Sequence, residues 1–112
     1  MDRIILEKYG EKFPIELVLG YYPNGSFGIA LNSWSEGYAE PWSTLTVNLN
    51  DELPEYCAYV DTNDNGEDII DWIIDNNIGE PTGVVKRSGF CEYPLIKFNS
   101  KIIDELIRKN QE

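Results

Sequence analysis

Asp61, Asp64, Glu67, Asp68, Asp71 and Asp75 fall within fifteen residues, and four of them (Asp64, Asp68, Asp71, Asp75) recur at the three- and four-residue spacings that share one face of a helix. Carboxylates so arranged can ligate a hard cation, move protons, or present negative potential to a basic partner. Asp61-Thr62-Asn63-Asp64-Asn65-Gly66 matches the opening of a calcium loop. The match then fails, because the twelfth position, where a bidentate Glu belongs, is Trp72, and the eighth, normally apolar, is Asp68. Helix capping accounts better for this cluster, with weak calcium binding as the residual metal reading. No metal or other cofactor is assigned.

Proton transfer fares no better. The chain has no histidine, which removes the commonest general base near neutral pH and the usual activators of serine and cysteine nucleophiles. Nor do the carboxylates show a pairing of a raised-pKa acid with a base. The expectation is a protein that is not an enzyme and has no catalytic residue.

The partner reading draws on charge distribution. The net charge is −11, and from Phe13 to Val85 thirteen acids occur without a single Lys or Arg. Ten of them lie between Asp51 and Glu80. An eleven-residue helix is roughly 16 Å long, and like charges along it cost about 0.2–0.5 kcal/mol per pair. Such a ridge suits a basic protein surface, such as that of a nucleic-acid-binding protein whose phosphate groove it imitates. Complementary potential would speed that association. The same field excludes direct binding of DNA or RNA, which needs Lys and Arg against phosphate. The competing reading is a solvated face that only keeps the protein soluble.

Other residues carry weaker signals. Tyr21, Tyr22, Trp34, Tyr38 and Trp42 gather at hairpin ends, and Tyr22 and Trp34 fall opposite the apolar face, as binding anchors do. They are equally ordinary strand residues. Lys86-Arg87-Ser88-Gly89 can cradle an anion, but a solubilising hairpin turn explains it better. Cys57 and Cys91 are too far apart for a redox or zinc motif and read as two small buried apolar side chains.

The elements that must position these residues follow from periodicity. Ile4 to Tyr9 is a short apolar run. Ile15, Leu17, Leu19 and Tyr21 alternate with their neighbours, Asn24-Gly25 marks a hairpin, and Phe27, Ile29 and Leu31 resume the alternation. Leu45, Val47 and Leu49 line a fourth strand, and Tyr56 to Val60 forms a short fifth. Next comes one helix over about 64–75, with Asp64 and Glu67 at capping-box spacing, Ile69, Ile70, Ile73 and Ile74 inward, and Gly79 as its left-handed stop. Two more strands are expected, at about 84–86 and 90–98, with Pro94 at an edge or bulge. Asn99 or Ser100 then caps a final helix over about 101–109. The fold class expected is α+β, an antiparallel β-meander sheet with two α-helices packed on one face.

At 112 residues and 42% hydrophobic content, residues 1–112 are expected to form one domain, a monomer or weak dimer. No targeting segment or spanning helix is read, which implies a cytoplasmic protein without membrane contact.

Leu45-Thr46-Val47-Asn48-Leu49, Tyr59-Val60-Asp61-Thr62-Asn63, Gly79-Glu80-Pro81-Thr82-Gly83 and Ser88-Gly89-Phe90-Cys91-Glu92-Tyr93-Pro94-Leu95 together resemble a small bacterial domain family of unknown function met on plasmids, phages and conjugative elements. The resemblance runs from about Ile15 to Phe98 and brings no activity or site residue. It implies a mobile-element setting, in which small acidic proteins interfere with host restriction or CRISPR machinery, some as DNA mimics. The partner-binding residues expected are therefore Asp61, Asp64, Glu67, Asp68, Asp71, Asp75, Tyr22 and Trp34. The alternative is an accessory interaction domain whose acids only solubilise it and whose aromatic sheet face meets the partner.

Overall fold

Alternating apolar residues build the first four strands. In a computed structural model, which describes residues 3–112, β1 (Ile4–Lys8), β2 (Glu11–Tyr21), β3 (Phe27–Ser33) and β4 (Glu40–Thr44) lie side by side in that order, each antiparallel to the next. The pairs Leu17↔Leu31 and Leu19↔Ile29 set the register that collects the apolar side chains on one face. Gly25, at φ 87°, supplies the one positive φ of the β2–β3 turn.

The expected fourth strand divides at Leu45. Its N–H donates to the Ile29 carbonyl at 2.8 Å, and its own carbonyl accepts from the Asp61 N–H at 2.8 Å. One fully buried residue thus binds to both halves of the molecule. Beyond it, β5 (Thr46–Val47) enters a second antiparallel sheet with β6 (Cys57–Val60), β7 (Gly79–Ser88) and β8 (Cys91–Phe98), in the order β5-β6-β8-β7. Two four-stranded sheets replace the single meander sheet. The two-residue alternation continues unbroken through Leu45, so it cannot signal that the chain changes partner strands there.

Pro94 lies on an interior strand and not at an edge. It sits opposite Val85, past Leu95, the last β8 residue paired with β6, and β7 shifts register between Pro81 and Val85. The missing N–H therefore faces no ladder on the β6 side.

Among the described residues, three helical segments replace the expected two. Gly66, at φ 84°, closes a single turn, α1 (Thr62–Asn65), by donating its N–H to the Thr62 carbonyl. The chain re-enters a helix as α2 (Ile69–Asp75). The cap is Asp61, whose Oδ1 accepts from the Asp64 N–H at 3.0 Å, so Asp64 is the capped residue and not the cap. Asn77 takes the left-handed position expected of Gly79, at φ 55°. Gly79 instead opens β7, where a Cβ would lie 2.9 Å from both the Lys97 carbonyl oxygen and the Ile96 side chain. α3 (Ser100–Asn110) starts at Asn99, whose side chain accepts from the Lys101 N–H.

Both sheets, α2 and α3 contribute to one core. Leu6, Ile15, Leu17, Leu19, Ile29 and Leu31 meet Val60, Ile96 and Phe98, with Ile69, Trp72, Ile73, Ile103 and Leu106 from the helices. Phe27 and Phe98 join the sheets edge-on, with centroids 5.9 Å apart. α2 buries Ile69, Trp72 and Ile73, and Ile74 is left 45% exposed instead of joining the apolar stripe. The outer face of the second sheet carries a smaller cluster of Cys57, Tyr59 and Leu95 under Leu49 and Leu53. β1 pairs with β2 only as far as Ile4↔Ile15. Further along β2, the α3 end takes over, with the Asn110 side chain donating to the Leu19 carbonyl at 2.9 Å. Among the described residues no helix is long and apolar enough to cross a membrane.

Candidate protein-interaction surface

The break at Gly66 decides where the carboxylates go. Asp61 and Asp64 belong to the capped turn of α1, next to β8, where Thr62 Oγ1 donates to the Glu92 carbonyl. Glu67 is exposed in the connection between the helices. Asp68, Asp71 and Asp75 line one wall of a groove of about 430 Å³ between α2 and β1. Trp72 crosses the groove, its indole N–H donating to the Ile5 carbonyl at 2.8 Å, while Lys8 and Lys12 stand on the far wall. The expected four-membered ridge on a single helix is therefore split, with Asp64 on another helix from Asp71 and Asp75.

Lysines from outside the acidic stretch neutralise part of it. Lys8 bridges Asp68 at 3.1 Å, Lys86 bridges Asp51 at 2.5 Å, and Lys109 bridges Glu16 at 2.6 Å. The Lys109 contact holds the Glu16 carboxyl below its ordinary range, against an opposing push from burial. Lys86, with help from the Tyr59 hydroxyl, does the same for Asp51. Burial, aided by Asp51, pushes the Tyr59 phenol up. Asp64, Glu67, Asp71 and Asp75 remain exposed and take part in no ion pair among the described residues.

The calcium-like loop is occupied by its own structure. Asn65 is 7% exposed, donates to the Thr44 and Asp61 carbonyls at 3.0 and 2.9 Å, and accepts from Ser43 Oγ at 2.6 Å. Among the described residues no three His, Cys, Asp or Glu side chains converge as metal ligands.

The two aromatic candidates both make contacts within the chain. Tyr22 lies over Gly28, where a Cβ would be 2.8 Å from its ring, and its hydroxyl meets Thr46 Oγ1 at 3.1 Å. The Trp34 indole donates to Glu16 Oε1 at 3.1 Å, with the Arg3 guanidinium 3.8 Å above its ring. The two residues lie near opposite ends of the β2–β3 pair and do not form one anchor.

The profile of a family described as a domain of unknown function, DUF4313, matches residues 16–112. The chain belongs to that family. No curated protein and no solved structure matches the sequence. The matched span of this DUF4313 member contains every candidate residue and both sheets except β1 and the first five residues of β2; Lys8 and Lys12 lie outside it.

One exposed feature was not read from the sequence. Phe90, expected within a strand, stands at the tip of the β7–β8 hairpin and is 99% exposed, with Val84 and Val85 about half exposed on β7. The sequence signal was Ser88-Gly89, a turn that ends β7 two residues before β8 begins. Lys86 is held by Asp51 and Arg87 Nε points back to the Gly89 carbonyl, so both cations of this turn are engaged within the chain.

Proposed function

We propose that this protein is a non-catalytic acidic binding protein whose α1–α2 side meets a basic surface of another protein. The observation that supports the reading is that Asp64, Glu67, Asp71 and Asp75 stay exposed and, among the described residues, outside any ion pair, although lysines reach Asp68, Asp51 and Glu16. The partner class that fits is a nucleic-acid-binding protein, since its phosphate-binding surface carries the opposite potential. A mobile-element setting, with a host defence protein as target, fits this chemistry and is part of the proposal. The cytoplasm, where such targets act, is the compartment proposed with it.

The test is capture of partners from the native host at stepped ionic strength, with two sets of variants. One set is Asp64→Asn, Glu67→Gln, Asp71→Asn and Asp75→Asn combined. The other removes the same charge elsewhere, as Glu36→Gln, Glu40→Gln, Glu52→Gln and Glu55→Gln. Loss of capture in the first set alone supports a local acidic site, whereas equal capture by both sets and the wild type contradicts it.

A second reading is favoured by Phe90, Val84 and Val85. An apolar hairpin tip can anchor a partner while the acids only solubilise. Binding through that tip would survive added salt and would be lost in Phe90→Ser.

A further inference from the structure

Nine residues connect β5 to β6, and they turn back over the outer face of the second sheet instead of taking a short path. Leu49 and Leu53 from this connection lie on Cys57, Tyr59 and Leu95, with Val47 and Tyr93 at the margins. The cover is held in an unusual way. Among the described residues, no backbone–backbone hydrogen bond ties residues 49–53 to the rest of the chain; the nearest is Cys57 N–H to the Pro54 carbonyl at 3.1 Å. At its start the Asn50 N–H donates to Asn48 Oδ1 at 3.0 Å, and Asn48 in turn meets the Asn24 side chain. Beyond Asn50, among the described residues, one side chain fastens it to the sheet. Asp51 accepts from the Tyr59 hydroxyl at 2.8 Å and from Lys86 Nζ at 2.5 Å, so a single carboxylate joins the connection to β6 and to the β7–β8 hairpin.

Both ends of the segment sit in left-handed backbone conformations, Asn50 at φ 59° and Tyr56 at φ 65°. Asn adopts that region readily, but Tyr does so at a conformational cost. Tyr56 is fixed by packing against the main core and by its hydroxyl, which donates to Asp104 on α3 at 3.1 Å. The segment therefore has a fixed end at Tyr56, a tolerant hinge at Asn50, and one polar fastening between them. Few backbone bonds and a small apolar contact are the features of regions that open locally, at lower free energy than global unfolding.

We infer that residues 51–55 are a strap that opens as a unit about Asn50 and Tyr56 when the Asp51 fastening releases, lifting Leu53 from the apolar outer face of the second sheet while the main core stays folded. The inference is independent of the acidic surface proposed above. Cys57 lies beneath the strap at 6% exposure and reports its position. Its thiol is also pushed up by burial, so in the closed state it reacts poorly for two reasons.

The experiment measures alkylation of Cys57 under native conditions in a Cys91→Ser background, alongside global stability from urea unfolding. Asp51→Ala and Lys86→Met remove the fastening; Asp68→Ala removes a comparable lysine–carboxylate pair far from the strap. The inference predicts an alkylation rate about tenfold higher in Asp51→Ala, a smaller rise in Lys86→Met, and no change in Asp68→Ala. It also predicts that labelling of the parent proceeds faster than its unfolding equilibrium allows. If Cys57 reacts only at the rate set by global unfolding, or if all four proteins label alike, the strap is a fixed part of the fold and the inference fails.

Discussion

Two glycines that look alike in the sequence have different steric surroundings. At Gly79 a Cβ would press on the Lys97 carbonyl oxygen and the Phe98 Cα as well as on Ile96, and the backbone of a paired strand cannot retreat. At Gly28 the obstacle is the Tyr22 ring, which can swing away with loss of its hydrogen bond to Thr46. Gly79→Ala should therefore cost about 2 kcal/mol and Gly28→Ala about 1 kcal/mol in urea unfolding. Equal costs would show that β7 and β8 can separate to make room. Glu16 offers a test by pH. Its carboxyl is held low in the folded protein by Lys109 and Trp34, so the stabilisation is full above the ordinary glutamate value and is lost as pH falls through the depressed folded value. Lys109→Met should remove most of that dependence, which an acid titration of stability will read.

Capping decides how the acidic segment is cut into helices. Asp61→Ala should lose the bond to the Asp64 N–H and cost about 1 kcal/mol, while Asp64→Ala should cost almost nothing; thermal melts of the two variants check this. The reverse order would restore the single capped helix that residue spacing predicts. Much of the element pattern was legible, because strand alternation in β2 and β3, the turn at Gly25 and the cap at Asn99 are local features. The failures are long-range. Gly66 falls within the single helix expected over about 64–75, but it takes φ 84° and ends α1 there, beside Lys8 and Asp68, which pair across 60 residues. Leu45 reads as one more strand position, although its two backbone groups bond to Ile29 in the first sheet and to Asp61, the residue after β6 of the second. Pro94 reads as an edge or bulge signal; the β7 register does shift beside it, but the strand is interior, and the end of the β6 pairing that leaves room for it lies 35 residues away, at Tyr59. Periodicity reports which face a residue takes and not which strand it meets.

Over the whole molecule, charge is the property that composition fixes and folding redistributes. A net charge of −11 on a chain with a 13.6 Å radius of gyration opposes compaction through self-repulsion. Raising salt from about 10 mM to 150 mM shortens the Debye length from about 30 Å to 8 Å, and the melting temperature should rise by a few degrees. A fall would mean that the lysine bridges to Asp68, Asp51 and Glu16 outweigh the repulsion. The acidic composition of the candidate surface was legible in the sequence. Its partition was not, since Lys8 and Lys109 reach Asp68 and Glu16 across 60 and 93 residues. Asp64, Glu67, Asp71 and Asp75 are exposed and in no ion pair among the described residues, and they are the acids on which the proposed surface rests. The most direct measurement is the affinity of a captured basic partner for the wild-type protein and for the variant with these four neutralised, each between about 50 and 300 mM salt. A wild-type affinity that falls at least about tenfold across that range, with a shallower slope in the variant, is the predicted result. Affinities that coincide for the two proteins at every salt concentration would contradict it.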